Sequence, residues 1–344
     1  MKTATDCKSG GERIILSQHI MKKIIFLSAL IALVGCDDGR EYKKEASGSP
    51  YEIVVVAADS VWKGAPGDTL CAILQEDVEM LNQPEPLFDI VHTTPKKFNN
   101  ILTRHRNIIR MEVDPAVVKT TVDAAYDVDS KPQMILYMRS NNADSLAMYL
   151  SMHRTRIQEL LNDTEIGRFA ARARRFPEQF LADTVKSMFG IDMVIPRGYK
   201  LRKSLAPNFM WMSYETPLTS QGIVIYTYPV DTLRQLSVNE IVAQRNAFVA
   251  AIPGPSDGSY MTTSSYLPPY IRPIEVNGRT WAEVRGFWDV AGDFMGGPFV
   301  SYTTIDKENG RAIVIDEYVY SPKQSKGRRN FIRQMESIVR NVNF

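Results

Sequence analysis

The chain has 344 residues, 44% of them hydrophobic and 23% charged, with a formal net charge of +2. That composition supports a buried core, and the count of 3 cysteines excludes a disulfide-stapled scaffold. A charge balance this close to zero gives no support for a nucleic-acid partner.

Residues 1–20 are polar and of mixed charge, and are read as an over-called start ahead of a better one at Met21. Lys22 and Lys23 then precede an uncharged, almost wholly apolar run of eleven residues, Ile24–Val34. A spanning helix needs about 20 apolar residues, so the run has the length of a signal h-region instead. Leu33-Val34-Gly35-Cys36 resembles the bacterial lipobox. The resemblance implies that 21–35 is a lipoprotein signal peptide, that the Cys36 thiol receives a diacylglyceryl group, and that the new N-terminus takes a fatty chain such as palmitate. Dual acylation gives stable anchoring where one chain binds marginally. The expected partner is therefore a lipid bilayer and the expected location the cell envelope, at the outer membrane, with the periplasmic and surface faces both open. Removing 1–35 removes five basic and two acidic residues and moves the net charge from +2 to −1. It also leaves Cys71 as the remaining free thiol, expected to be buried on an apolar helical face.

Residues 36–50 are charged and small, the composition of a flexible linker. Asp37 and Asp38 beside the anchor resemble surface-export signals of Bacteroidota lipoproteins; in enterobacterial lipoproteins an Asp there is associated with inner-membrane retention. Tyr51–Ala57 is a β-branched run and predicts a strand buried on both faces. Asp68 is expected to cap a helix through Met80, followed by strands at Phe88–Thr93 and Asn107–Val113. Asp114-Pro115 predicts a short helix, and Gln133–Met138 another strand. Asn141–Asp144 caps a long helix with Leu146, Leu150, His153, Ile157, Leu160 and Leu161 on one face and a break expected at Asn162–Thr164. Its continuation carries Arg168, Arg172, Arg174 and Arg175, and Pro177 restarts a helix toward Gly190. Strands alternating with helices make 51–190 an α/β domain.

From 191 to 344 the pattern becomes β-rich. Strands are predicted at Ile191–Val194, Tyr199–Arg202, Phe209–Tyr214 and Gly222–Tyr228, with a helix from Ser237 through Ala251. Asn277-Gly278 between Tyr270–Val276 and Arg279–Gly286 is a strong hairpin signal. Gly292–Pro298 reads as a long loop before a second hairpin, Phe299–Ile305 with Arg311–Tyr320. A final helix carries Phe331, Ile332, Met335, Ile338, Val339 and Val342. The fold class is α+β in two parts, the second an antiparallel sheet flanked by helices.

Phe189-Gly-Ile-Asp-Met-Val-Ile-Pro-Arg-Gly-Tyr199 is similar to the opening of PsbP/Mog1-like domains. Together with the lipobox, the Tyr51–Ala57 strand, the Arg-rich helix and the Trp281…Trp288 hairpin, it makes the chain from Cys36 onward resemble a Bacteroidota lipoprotein family of unknown function. The resemblance implies an envelope lipoprotein and carries over no catalytic residue.

Catalytic motifs are not evident. His92, His105 and His153 are too far apart for a spacing-defined zinc site, and no nucleophile elbow, Walker loop or dinucleotide fingerprint occurs. No cofactor or metal is expected. Glu283, Asp289 and Asp293 beside Trp281 and Trp288 suggest a glycosidase-like carboxylate pair as an alternative. Trp281, Trp288, Tyr260 and Tyr270 read first as ordinary core residues of a sheet domain and second as aromatic platforms for binding; Arg172 and Arg175 read first as a solvated helical face and second as contacts for anionic groups. Lys323, Lys326, Arg328 and Arg329 crowd the start of the last helix against its dipole and are suspected partner contacts. The expected function is a non-enzymatic binding or assembly module for an envelope protein or glycan; the alternative is a surface hydrolase acting on glycan or peptide.

Overall fold

The structure, a computed structural model, describes residues 43–99, 101–230, 236–322 and 327–344. Cys36, the 21–35 segment, Lys323 and Lys326 lie outside the described residues. Lys44–Phe344 forms one compact unit, with 7 helices and 15 strands among the described residues.

The first layer is built from β1 (Glu52–Val56), α1 (Asp59–Trp62), α2 (Ala65–Leu74), β2 (Asp89–Thr93), β3 (Asn107–Val113), β4 (Thr121–Tyr126), β5 (Met134–Ser140), α3 (Ala143–Met152) and α4 (Arg154–Arg175). Its strand order is β2-β1-β3-β5-β4. The first four strands are parallel and β4 runs antiparallel on the edge. β1 reads as a continuous apolar run because both faces are covered. Ile53 and Val55 pack with Leu70, Leu146 and Leu150 of the helices; Val54 and Val56 pack with Ile108 and Ile135 on the opposite side.

Three local expectations change. The helix predicted through Met80 stops at Leu74, whose carbonyl accepts the Phe88 N–H at 2.9 Å; Asp77 and Pro86 bridge, so 75–88 is a folded loop. Asp114-Pro115 makes a turn only: Asp114 Oδ1 accepts the Ala116 N–H at 2.9 Å, and the chain goes on into β4, which sequence periodicity missed. The long helix breaks at His153 and runs unbroken through 162–164. Asn162 there is held by the Tyr51 hydroxyl at 3.1 Å, and the Thr164 hydroxyl donates to the Leu160 carbonyl at 2.8 Å within the helix.

The second layer comprises α5 (Gln179–Phe189), β6 (Asp192–Met193), β7 (Lys200–Leu205), β8 (Phe209–Glu215), β9 (Ser220–Pro229), α6 (Val238–Val249), β10 (Tyr260–Thr263), β11 (Tyr270–Val276), β12 (Arg279–Ala291), β13 (Gly296–Asp306), β14 (Arg311–Tyr320), α7 (Arg328–Glu336) and β15 (Val342–Asn343). The antiparallel order is β10-β12-β13-β14-β9-β8-β7, with β11 also on β12 and β15 paired to β6. One face packs on α5 and α7 through Val185, Phe189, Ile332 and Met335. The other packs on α6 through Ile241 and Val249. The Asn277-Gly278 hairpin forms in the expected register, with φ of 52° and 72°, the paired positive values of a type I′ turn. Ser237 and Glu240 make a full capping box at the start of α6. The segment read as a long loop at 292–298 is short, because β12 continues to Ala291 and β13 starts at Gly296. The last helix ends at Glu336 and gives way to a single 3-10 turn and β15.

Candidate functional site

β12 alternates its side chains between the two faces of the second sheet. Trp281 packs in the core shared with α7, and Val284 in the core under α6. The two-residue period therefore sets Glu283 and Arg285 on the α7 side, where apolar residues would be the rule. Both are buried, at 4% and 5% side-chain exposure.

Arg285 donates from Nε to Glu283 Oε1 at 2.6 Å and from Nη1 to Glu336 Oε1 at 2.6 Å. Glu336 lies on α7, and its second oxygen accepts from Arg333 Nη1 at 2.7 Å, one turn back. From the outer side Arg272, opposite Glu283 in the β11–β12 register, donates to Glu283 Oε1 at 2.6 Å. Arg272, Glu283, Arg285, Glu336 and Arg333 thus form one chain of alternating charge. It lines a cleft of about 670 Å3, together with Tyr302 of β13, the acidic residues Asp77 and Glu79 of the 75–88 loop, and Asp163 of α4.

Burial alone penalises the charge on Glu336, but Arg285 and Arg333 overcome it and hold the carboxyl at about 2. Burial likewise opposes the charge on Arg285, and Glu336 and Glu283 more than compensate, raising its pKa. The Tyr302 phenol, opposite Glu283 across β12–β13, is pushed up by burial and by Glu283 and Glu336. Each carboxylate in the chain is held by two guanidinium groups, and Glu336, held at about 2, is not poised to take or give a proton near neutrality. One donor is left over: Arg333 Nε is buried without a partner among the described residues. Such an arrangement can hold and orient charge.

Sequence reasoning put Glu283 in a different pairing. The β12–β13 register carries no bulge, so Glu283 and Asp289 do share a face. Six residues of strand separate them by roughly 20 Å, well beyond the roughly 5–9.5 Å of a glycosidase pair. Asp289 lines another cleft beside Phe294, and Asp293 is engaged by the Ser256 hydroxyl. The proposed carboxylate pair does not converge.

The other expected site residues scatter. Trp281 and Trp288 are each 1% exposed, which makes them core residues rather than open platforms. Trp288 donates its indole N–H to the Val319 carbonyl at 3.1 Å and meets the Tyr318 ring edge-on at 5.5 Å. Tyr260 is exposed at the start of β10. Tyr270 is half-buried and donates its hydroxyl to Glu79 at 2.5 Å, at the cleft rim. Arg175 lies over the Phe176 ring at 5.3 Å, and Arg172 lines a separate cleft. Cys71 is half-buried rather than buried, and partial burial with Asp68 nearby raises its thiol pKa. The histidines sit apart: His92 stacks on Trp62, His105 binds Glu52 at 2.6 Å and His153 stacks on Tyr149.

Sequence reasoning missed Arg272, Arg285, Tyr302, Arg333 and Glu336. The available signal was a pair of opposite charges, Glu283 and Arg285, on the buried parity of a strand that otherwise carries Trp281 and Val284. Among the described residues no group of three His, Cys, Asp or Glu is placed to hold a metal ion, and no helix is long and apolar enough to cross a membrane.

Residues 46–174 match a family model described as a domain of unknown function (DUF8532), and residues 178–341 match another described as a domain of unknown function (DUF4837). No curated protein matches the chain. Among solved structures it is similar to the Saccharomyces cerevisiae Ran-binding protein Mog1p, at 12% identity over 45% of this chain and 92% of that one, with a TM-score of 0.30. It is also similar to LpqN, described as involved in cell envelope biogenesis of Mycobacterium tuberculosis, at 11% identity over 44% of this chain and 81% of that one, with a TM-score of 0.27. Neither likeness assigns this chain an activity.

Proposed function

We propose that this chain is an envelope lipoprotein held at the outer membrane through an acylated Cys36, and that its folded body is a non-catalytic binding module. The cleft over β11, β12 and α7 receives a ligand carrying both signs of charge, such as a peptide segment of an envelope partner. The lipobox sequence supports the anchor. One observation supports the binding site: five alternating charges converge on one cleft wall, with the Arg333 Nε donor left unpartnered among the described residues. Burying an ion chain of this kind is costly for stability alone, and concentrated buried charge in a cleft is a signature of functional sites.

Arg272 is the accessible end of the chain, at 48% side-chain exposure, and the rim around it is acidic. A mixed-charge peptide satisfies both. The test is calorimetric titration of the full chain, reconstituted in lipid nanodiscs, with an alternating Lys/Glu oligopeptide and with a neutral oligosaccharide. The peptide binds, its affinity falls as salt rises, and Arg272→Ala weakens it by about tenfold, equivalent to about 1.4 kcal/mol. Equal binding of the neutral oligosaccharide, or an unchanged Arg272→Ala titration, overturns the reading.

A further inference from the structure

A second cleft, of about 450 Å3, opens where α4 ends and the chain turns toward β7. Its size falls in the about 300–1,000 Å3 of small-molecule clefts. Backbone bonds build its mouth. The Phe176 N–H donates to the Arg172 carbonyl at 3.3 Å, and the Phe176 carbonyl accepts the Arg197 N–H at 3.0 Å. Arg197, distant along the chain, is thereby drawn to one rim with Arg172 and Phe176, reinforced by the Pro177–Pro196 bridge.

The walls are aromatic: Phe169, Phe176, Tyr199 and Tyr214 all line the cleft. Phe176 and Tyr214 are 48% and 38% exposed, large apolar surface left open to water. Two arginines complete the lining, Arg172 and Arg197, and both are exposed. Other arginines of α4 are committed within the molecule. Arg168 binds Glu165, Arg174 binds Asn341 and Arg175 covers Phe176. Among the described residues neither Arg172 nor Arg197 forms an ion pair. The acidic residue of this segment, Glu178, accepts the Gly198 N–H at 3.3 Å and does not line the cleft.

The floor also has hydrogen-bonding capacity to spare. Among the described residues the buried Gln221 amide makes long contacts to oxygen, 3.3 Å to the Phe331 carbonyl and 3.4 Å to Gln334, and a third at 3.4 Å to the Met335 sulfur, a weak acceptor. The Tyr199 hydroxyl is directed at the Met335 sulfur at 3.3 Å, a weak acceptor. Apolar walls, a few convergent polar groups and two cations without an ion pair among the described residues describe a site for one kind of molecule.

We infer that this cleft binds a small anion with a flat apolar body, the rings of Phe169, Phe176 and Tyr214 taking the body and Arg172 with Arg197 taking a carboxylate or phosphate head. Arginine is suited to both heads, since its planar fork matches either geometry. The site is separate from the charged cleft and does not depend on the reading of that cleft.

The test uses the full chain in nanodiscs and three probes of one shape: 2-naphthoate, 2-naphthyl phosphate and neutral 2-naphthamide. Titration is followed by calorimetry, with empty nanodiscs subtracted. One or both anions bind, 2-naphthamide binds at least about tenfold more weakly, and Arg172→Gln with Arg197→Gln abolishes the difference. The preference between the two anions tells which head the site takes. Both substitutions lie on exposed side chains, and an unchanged thermal midpoint confirms that the fold is kept. Equal binding of all three probes, no binding of either anion, or an unaltered double variant overturns the assignment.

Discussion

Glu85 caps α7 across the fold: its Oε1 accepts the backbone N–H of Arg328 at 2.9 Å. Its Oε2 accepts those of Gly327 at 2.9 Å and Arg329 at 3.2 Å. A buried carboxylate at a helix N-terminus satisfies orphan donors and complements the dipole. This accounts for Arg328 and Arg329 at the start of α7. Arg328 donates to Gln83 at 2.7 Å and to the Ser321 carbonyl at 3.1 Å. Arg329 donates to the Pro86 carbonyl at 2.8 Å and to Asp89 at 2.7 Å. The sequence suggests partner contacts at both; in the fold both stitch α7 to the 83–89 segment.

Replacing Glu85 therefore destabilises the fold. Glu85→Ala loses three charge-assisted bonds and is expected to cost about 1–3 kcal/mol, Glu85→Gln somewhat less. Urea unfolding measures it as a lowered midpoint at unchanged slope. An unshifted midpoint contradicts the capping role.

Arg245 and Asp316 form a fully buried ion pair, with Nε to Oδ2 at 2.7 Å and Nη2 to Oδ1 at 3.2 Å, and the guanidinium sits over the Phe299 ring at 3.8 Å. Asp316→Ala strands a buried cation and is expected to cost about 3–5 kcal/mol, while Arg245→Met combined with Asp316→Leu costs less than that single change. A double-mutant cycle in denaturant checks this; additive losses contradict it.

Glu317 is fully buried, and among the described residues neither carboxyl oxygen has a partner. Burial, with Glu336 and Asp316 adding repulsion, raises its pKa well above the usual carboxylate range. A raised folded-state pKa stabilises most below the unfolded value of about 4.3 and loses that contribution as pH rises. Glu317→Gln keeps the shape and removes the charge. Its stability relative to wild type is expected to improve from pH 5 to pH 8, read from thermal midpoints; parallel pH curves contradict this.

Glu336 has the opposite sign. Its folded-state pKa of about 2 lies below the unfolded carboxylate value, so its contribution is present above about pH 4.3 and is lost as pH falls toward 2. The loss is on the order of 3 kcal/mol at 1.36 kcal/mol per unit. Glu336→Gln is expected to flatten the acid limb of the stability curve between pH 4.3 and 2. An acid limb as steep as that of the parent contradicts it.

Much of the architecture was legible because it follows from local periodicity and turn chemistry. The unbroken Tyr51–Ala57 run located β1, Asn277-Gly278 fixed the β11–β12 register, and Ser237 located the α6 cap. Elements set by tertiary contact were not legible. β4 carries little apolar pattern because it is an exposed edge, and the 75–88 loop is shaped by what it caps on α7. The charged cleft escaped for the same reason. Arg333 and Glu336 look like the polar face of an amphipathic helix until α7 is placed against β12, where that face meets Arg285 and Glu283. Trp281 and Trp288 drew attention as aromatic platforms, but parity on a sheet covered on both sides buries them.

Amide hydrogen exchange of the full chain, with and without a saturating alternating Lys/Glu oligopeptide, tests the central claim of a mixed-charge binding cleft most directly. New protection is expected only at 272–285 and 333–340, the backbone that carries the ion chain, and at the acidic rim around Asp77, Glu79 and Asp163. Protection elsewhere, or an exchange pattern unmoved by the peptide, contradicts it.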